Sequence, residues 1–151
     1  MPPTVSILIS FYNQSRFVKE TVLSALAQTF QEVEVVVRDD GSTDGGMDQL
    51  KQISDPRLRL LTGPNLGPSG SNNALLAEAR GEFVAFLAGD DVFTKTKIEE
   101  QIAVMNGGGR FIYAPVLFIN EYSTRIDTPK KMAHLFGEGP SSRIDLFRKL
   151  F

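Results

Sequence analysis

The 151-residue chain has no cysteine and a single histidine, His134. Without cysteine, disulfides and thiolate metal sites are excluded. The one histidine lies in a polar stretch, which is typical of a surface residue, and no Ser-His-Asp or Cys-His set can be assembled. No apolar run reaches the length of a membrane span, and the N-terminus lacks the charged and apolar regions of a signal peptide. We therefore expect a soluble intracellular domain, cytoplasmic or at the cytoplasmic face of the membrane within a longer protein.

The chain also lacks an excess of basic residues and two common phosphate-binding loops. Its formal net charge is -2 and it has no basic stripe, so we expect no nucleic-acid partner. Its first apolar run leads into Ser10–Asn13 without the glycine fingerprint of dinucleotide-binding folds, and Gly63–Gly70 lacks the lysine of a P-loop. Hydride transfer and P-loop hydrolysis are therefore disfavoured.

What the chain does have is a regular alternation of short apolar runs and helical patterns. The runs predict strands at 5–10, 33–38, around 58–60, at 83–87 and at 111–119. Helices are predicted from Ser15 onward, around 47–53, at 71–79 and at 94–106, with Asn13 or Ser15 capping the first and Ser42 or Thr43 starting the second. The order β-α-β-α-β-α-β-α-β predicts an α/β fold, with a mainly parallel sheet and helices on both faces.

Two pairs of neighbouring carboxylates follow two of these strands. Asp39–Asp40 ends the run V-E-V-V-V-R, and Asp90–Asp91 follows F-V-A-F-L-A-G. In an open α/β sheet, ligands bind outside the carboxyl ends of the strands, so both pairs are expected at one edge. Adjacent ionised carboxylates repel each other and suit a hard cation such as Mg2+ or Mn2+, which takes phosphate oxygens as further ligands. Taken alone, however, Asp90–Asp91 is more often a solvated acidic turn.

Two other patterns at this edge each allow two interpretations. Asp39-Asp40-Gly41-Ser42 can be an ordinary turn and helix start, or it can present a carboxylate to a base or ribose. Tyr12, at the end of the first strand, can stack on a nucleobase or be a half-buried packing residue. The residues alone leave both choices open.

Six segments, taken together, resemble a known family. They are V-S-I-L-I-S-F-Y-N at 5–13, S-A-L-A-Q-T-F at 24–30, V-V-V-R-D-D-G-S-T-D at 35–44, N-L-G-P-S-G-S-N-N at 65–73, A-R-G-E-F-V-A-F-L at 79–87 and G-D-D at 89–91. In this order and spacing they are similar to the nucleotide-binding half of a family 2 glycosyltransferase, over nearly the whole chain. The resemblance implies the GT-A fold, a Rossmann-like α/β/α sandwich. It also implies transfer of a sugar from a nucleotide-diphosphate donor, usually a UDP-sugar, to a saccharide or lipid-linked acceptor with inversion at the anomeric carbon, as in cell-surface polysaccharide synthesis.

The resemblance assigns a nucleotide pocket to residues of the first two strand ends. Tyr12 would lie against the uracil ring, and Asp40 would accept a hydrogen bond from the uracil N3–H. Ser10 and Asn13 would line the same pocket.

The second acidic pair would bind the rest of the donor. Asp90 matches the position that holds ribose or metal, and Asp91 matches the ligand of the divalent ion, Mn2+ or Mg2+, that bridges the two phosphates. The chain departs from the family at Ala88, where Asp is common, and near Asn72, where an Arg often reaches the donor. Metal binding therefore depends on Asp90 and Asp91, and we expect weaker binding of the diphosphate unless other residues supply the charge.

The resemblance also divides the chain. Residues 1–120 match the nucleotide-sugar-binding part, and 121–151 match the start of the acceptor-side region, which is truncated. The general base of the family comes from a later segment, so it is expected beyond Phe151, and this chain is expected to bind donor without transferring sugar. The apolar stripe in Ser142–Phe151 predicts self-association as a homodimer. Two alternatives stay open, a sugar-phosphate nucleotidyltransferase and a non-catalytic nucleotide-binding module.

Overall fold

The computed structural model describes residues 3–107, 111–112 and 117–126. Its strands are β1 Val5–Phe11, β2 Val33–Asp39, β3 Leu58–Thr62, β4 Phe83–Ala88, β5 Phe118–Ile119 and β6 Arg125–Ile126. Its helices are α1 Val18–Leu26, α2 Gly46–Leu50, α3 Gly67–Glu78 and α4 Lys97–Asn106. The chain divides into two compact units, Met1–Gly108 and Gly109–Phe151, and the two short strands belong to the second.

The first unit contains a four-stranded sheet in the order β3-β2-β1-β4, with every neighbouring pair parallel. At its centre Ile7 lies opposite Val35 on one side and Ala85 on the other. The chain runs outward from β1 through β2 to β3 and then returns to the opposite side of β1 as β4. This reversal makes the carboxyl ends of β1 and β4 the topological switch point, where ligands of open α/β sheets bind. The predicted α/β fold with a mainly parallel sheet is confirmed.

Helices cover both faces of the sheet because the central strands present apolar side chains in both directions. One face buries a large cluster that includes Ile7, Ile9, Val35, Val37, Val22 of α1, Leu50 of α2 and Ile98 of α4. The other face buries Leu8 and Val36 against Leu75 of α3. This two-sided burial is why the first two strands have nearly continuous apolar sequences.

Two of the predicted helix starts are wrong. Helix α1 begins at Val18 after Phe17 and has no side-chain cap, so neither Asn13 nor Ser15 caps it. Helix α2 begins at Gly46 rather than near Ser42 or Thr43. The residues expected to cap these helices instead bond the loop after β1 to the loop after β2, as shown below.

Helix α3 begins at Gly67, inside the segment 63–70 that was predicted as a loop. Pro68 is tolerated there because the first turn of a helix has no intrahelical partner for its N–H. The helix therefore starts close to the carboxyl ends of β2 and β3, four residues earlier than the predicted Ser71.

The predicted fifth strand, 111–119, is present only at its end among the residues that are described. Phe111 and Ile112 are not in a strand, whereas Phe118–Ile119 form β5, which pairs antiparallel with β6. The cause is a tight turn: the Oδ1 of Asn120 accepts hydrogen bonds from the N–H groups of Tyr122 and Thr124, which reverses the chain. His134 and the terminal segment 142–151 lie outside the described residues.

Candidate functional site

Backbone hydrogen bonds hold the loops that follow β1, β2 and β4 side by side at the switch point. The N–H of Asp40 donates to the carbonyl of Phe11 at 2.9 Å, and the N–H of Gly89 donates to the carbonyl of Ser10 at 3.1 Å. These bonds continue the parallel ladders past the ends of the strands. The two acidic pairs and the segment 10–13 are therefore brought to the same edge, as the sequence predicted.

Asp40 is buried and both of its carboxylate oxygens accept hydrogen bonds from the start of α3. The N–H of Leu66 lies 3.0 and 3.1 Å from the two oxygens, and the N–H of Gly67 lies 3.0 Å from Oδ2. The guanidinium of Arg38 completes the set at 3.3 Å from Oδ1. Asp40 thus anchors the N-terminal end of α3, where a negative charge is stabilising because the unpaired N–H groups and the helix dipole both favour it.

Asp39 is buried beside it and has a local role. Its Oδ1 accepts a hydrogen bond from the N–H of Ser42 at 2.8 Å, which closes the turn after β2. Gly41 takes a φ of +85° in that turn, a conformation that favours glycine. For Asp39, the structure therefore matches the interpretation of an ordinary turn.

Asn13 links the loops after β1 and β2. Its N–H donates to the Oγ of Ser42 and its Oδ1 accepts from the N–H of Thr43, both at 2.9 Å. Nearby, the N–H of Ser15 donates to Asp44 at 2.7 Å. Burial acts to raise the pKa of Asp44, but backbone donors led by Ser15 outweigh it, so the pKa is lowered. The amide oxygen of Asn13, which was predicted to line the nucleotide pocket, is therefore engaged in joining these two loops.

Ser10 and Tyr12, two positions apart at the end of β1, have different surroundings. Tyr12 is 50% exposed, so part of its side chain is accessible to a ligand. The Oγ of Ser10 donates to the Oδ1 of Asn72 on α3 at 3.1 Å. Asn72, which replaces an arginine common in the family that the sequence resembles, thus contacts the end of β1.

Two buried polar atoms have no hydrogen-bond partner among the described residues. They are Nε of Arg38, whose guanidinium lies beside Asp40, and Oγ of Ser71 in α3. The guanidinium of Arg38 also donates to the carbonyl of Pro64 at 2.8 Å. The guanidinium of Arg38 therefore retains unused hydrogen-bonding capacity beside the buried carboxylate of Asp40.

Asp90 and Asp91 are exposed and follow β4 in a tight turn, in which the N–H of Asp91 donates to the carbonyl of Ala88 at 3.1 Å. Partial burial, and then the charge of Asp90, raise the pKa of the Asp91 carboxyl. A cation would relieve this unfavourable pairing. Within 3–107, 111–112 and 117–126, no group of three or more acidic or histidine side chains could hold a metal ion. The pair nevertheless fits Mg2+ or Mn2+, since such ions are often held by one or two carboxylates together with substrate phosphates.

Gly89 is required by the way this turn packs against β1. A Cβ at this position would lie 2.5 Å from both Cβ of Phe11 and Oε1 of Gln14, and 3.1 Å from the carbonyl of Ser10. Only glycine allows the acidic pair to sit this close to the end of β1.

Sequence reasoning missed the residues of α1 that hold the acidic turn. The hydroxyl of Thr21, which is 1% exposed, donates to the carbonyl of Gly89 at 3.0 Å. Gln28, also 1% exposed, lies two residues beyond the end of α1 and donates to the carbonyl of Thr94 in the loop after the acidic turn. A usable signal was present: Thr21, Ser24 and Gln28 recur at helical spacing among apolar positions, and buried polar residues need partners.

Comparison with known proteins agrees with this arrangement. The model of the family described as "Glycosyl transferase family 2" matches residues 6–150. The chain belongs to glycosyl transferase family 2. Among its relatives is the UDP-Glc:alpha-D-GlcNAc-diphosphoundecaprenol beta-1,3-glucosyltransferase WfgD of Escherichia coli, which is 34% identical over 134 residues, 86% of this chain and 53% of WfgD.

Two solved glycosyltransferase structures are similar to it as well. The S. aureus TarS 1-349 structure in complex with UDP-GlcNAc has a TM-score of 0.65 and 30% identity, covering 69% of this chain and 31% of TarS. The mannosyltransferase PcManGT from Pyrobaculum calidifontis, in complex with GDP-Man and Mn2+, has a TM-score of 0.56 and 26% identity, covering 62% of this chain and 29% of PcManGT. The fold is thus the GT-A fold of glycosyltransferases.

The chain matches only part of the length of its relatives. The chain spans 32% to 53% of the length of four curated relatives that it matches. In the part of the chain that the structure describes, no helix is both long and apolar enough to cross a membrane.

Proposed function

We propose that this family 2 glycosyltransferase chain binds the donor of an inverting transferase, and that the donor is a UDP-sugar. The observation that carries the proposal is that the exposed Asp90–Asp91 pair and the half-exposed Tyr12 lie at the same edge of the sheet, at its switch point. The relatives support the choice of nucleotide, since the name of WfgD specifies UDP-Glc and TarS was solved with UDP-GlcNAc.

The nucleotide pocket consists of Ser10, Tyr12, Asn13 and Asp40. Tyr12 stacks on the uracil, and Asp40 accepts its N3–H. Because both oxygens of Asp40 already accept hydrogen bonds from α3, the base N–H takes the place of one loop N–H, that of Gly67 or Leu66. A hydrogen bond to a charged acceptor contributes about 1.5–3 kcal/mol, enough to favour one base over others.

The diphosphate and its metal lie at the second acidic pair. Asp90 and Asp91 hold Mn2+ or Mg2+, and Asp90 also serves the ribose; the Mn2+ in the PcManGT complex supports this choice of ion. When bound, such an ion stabilises the charge that develops on the leaving diphosphate. The chain's own contribution is to hold two carboxylates at a fixed place at the end of β1, through the backbone hydrogen bonds of the turn.

The remaining assignments extend this proposal to the whole protein. Residues 1–120 bind the donor, and 121–151 begin the acceptor side, with the general base in a later segment than Phe151. The acceptor is a saccharide or a lipid-linked sugar, which WfgD's name supports, so the enzyme acts in the cytoplasm or at the cytoplasmic face of a membrane. Self-association as a homodimer would use the apolar stripe in the sequence of 142–151.

The experiment is calorimetric titration of the chain with UDP, in Mn2+ and in EDTA. UDP should bind more tightly with Mn2+, and Asp91→Ala should remove most of the difference. ADP and CDP should bind more weakly than UDP under both conditions. Equal UDP affinity in Mn2+ and EDTA would refute the metal site, and equal affinity for all three nucleotides would refute the base pocket.

A further inference from the structure

Two polar side chains of helix α1, and a third that follows the helix, bind the segment that contains the acidic pair. Thr21 and Ser24 are spaced i and i+3, so they lie on one side of α1, and Gln28 lies two residues beyond the end of the helix at Leu26. The other inward residues of the helix, such as Val22 and Ala25, are apolar and buried. We call Thr21, Ser24 and Gln28 the polar stripe.

The first two members of the polar stripe contact the chain on each side of the acidic pair. The hydroxyl of Thr21 donates to the carbonyl of Gly89 at 3.0 Å, directly before Asp90. The hydroxyl of Ser24 accepts a hydrogen bond from the N–H of Phe93 at 3.0 Å, two residues after Asp91.

Gln28 fixes the continuation of this segment into α4. Its Nε2 donates to the carbonyl of Thr94 at 2.8 Å, and its Oε1 accepts from the N–H of Ile98 at 3.0 Å. Its Nε2 also donates to the carbonyl of Ser24 at 3.1 Å. One buried amide therefore binds both a carbonyl of the loop and an N–H in the first turn of α4, where the helix itself supplies no acceptor.

The geometry points to Gln28 as a positioning residue for the metal and diphosphate site, an inference that rests on the function proposed above. Asp90 and Asp91 are themselves exposed, so their place is set by the backbone on each side of them. That backbone is bonded to the polar stripe at Gly89, Phe93 and Thr94. Segment 24–30, one of those that resemble the family, therefore has a physical role in holding the acidic turn.

The test compares the gain in UDP affinity that Mn2+ produces in the unchanged chain and in Gln28→Leu. The leucine keeps the apolar part of the side chain but removes both hydrogen bonds to the loop and α4. Residues that orient metal ligands typically contribute 10–100-fold to metal affinity, so we expect the gain from Mn2+ to fall about tenfold. The affinity for UDP in EDTA should stay unchanged, because the polar stripe has no hydrogen bond to Tyr12 or Asp40.

Two further variants separate positioning from general loss of stability. Thr21→Val keeps the shape of the side chain and loses only the bonds of its hydroxyl, so it should lower the gain from Mn2+ in the same direction. Ile7→Val reduces a core residue that makes none of these hydrogen bonds, so it should lower stability to urea and leave the gain unchanged. The inference is overturned if Gln28→Leu and Thr21→Val keep the full gain, or if the affinities with and without Mn2+ fall together. No gain from Mn2+ in the unchanged chain would instead refute the metal site itself, and the positioning role with it.

Discussion

Replacing Gly89 by alanine should displace the acidic turn without disturbing the rest of the sheet. The added Cβ would lie 2.5 Å from Cβ of Phe11 and 2.5 Å from Oε1 of Gln14. The amide of Gln14 is the end of a flexible side chain and can move aside. The Cβ of Phe11 cannot, because it is attached directly to the backbone of β1, whose carbonyl at this residue also holds the N–H of Asp40.

The size of the effect follows from this distance. Two carbon atoms in contact prefer about 3.5–4.0 Å, so the turn must move outward by roughly 1 Å. Overpacking of this kind typically costs about 1–3 kcal/mol of folding stability. A misplacement of ~1 Å in a group that positions a reacting substrate can cost on the order of 100-fold in rate. We therefore expect Gly89→Ala to lose most of the gain in UDP affinity that Mn2+ provides.

The matched control is Gly81→Ala, at the opposite end of the sheet. A Cβ there would lie 2.6 Å from the backbone N of Ser6 and 2.8 Å from the carbonyl carbon of Val5, so it is overpacked to a similar degree. Both variants should lower the urea midpoint, but only Gly89→Ala should lower the gain from Mn2+ in calorimetry. The reasoning is wrong if the two variants affect the Mn2+-dependent gain equally, or if Gly89→Ala binds UDP and Mn2+ as the unchanged chain does.

Two further predictions concern other parts of the molecule. Burial acts to raise the pKa of Glu34, but hydrogen bonds led by those from Ser6 and Arg80 outweigh it and lower the pKa below its ordinary 4.5. The folding stability that this carboxylate contributes is therefore complete above about pH 4.5. It is lost as the pH falls through the lower pKa of the folded state. Urea unfolding between neutral and acid pH should show this loss, and Glu34→Gln should flatten it, whereas an unchanged slope would contradict the assignment. Tyr12→Ala should weaken UDP binding by about 1–3 kcal/mol if its ring stacks on the base, with equal loss of affinity in Mn2+ and in EDTA. A loss of affinity seen only in Mn2+ would instead place the ring at the diphosphate and its metal, which would contradict the stacking role.

Much of the fold was predictable because its central strands have unambiguous sequences. Runs such as V-S-I-L-I and V-E-V-V-V are short, β-branched and apolar on both faces, which indicates buried parallel strands. The start of α3 was not predictable in the same way. A segment with three glycines and two prolines is typical of a loop, and what makes part of it helical is Asp40, a residue 26 positions away from Leu66 along the chain.

The site was predictable in composition but not in its internal contacts. The strand ends alone indicated that Asp40 and Asp90 would share one edge of the sheet. The hydrogen bonds of Asn13 to the loop after β2, and of Gln28 to the start of α4, depend on residues 30 and 70 positions apart. No local pattern encodes such pairs; a buried polar residue indicates only that a partner exists.

The double engagement of Asp40 leads to a last prediction, on how the base is read. Uracil carries its N3–H between two carbonyl oxygens, and Asp40 is a carboxylate flanked by the N–H groups of Leu66 and Gly67. When the base N–H takes one carboxylate oxygen, the displaced loop N–H can donate to a neighbouring uracil carbonyl, so no buried group loses its partner.

UDP methylated at N3 cannot make this exchange and should bind about 10–100-fold more weakly than UDP, which corresponds to the ~1.5–3 kcal/mol of a hydrogen bond to a charged acceptor. In the Asp40→Asn variant, methylation at N3 should lower the binding affinity much less, because two changes to the same contact are not additive. Urea titration checks that this variant is folded. If methylation costs the same in both proteins, Asp40 only anchors α3, and the base is read by another group.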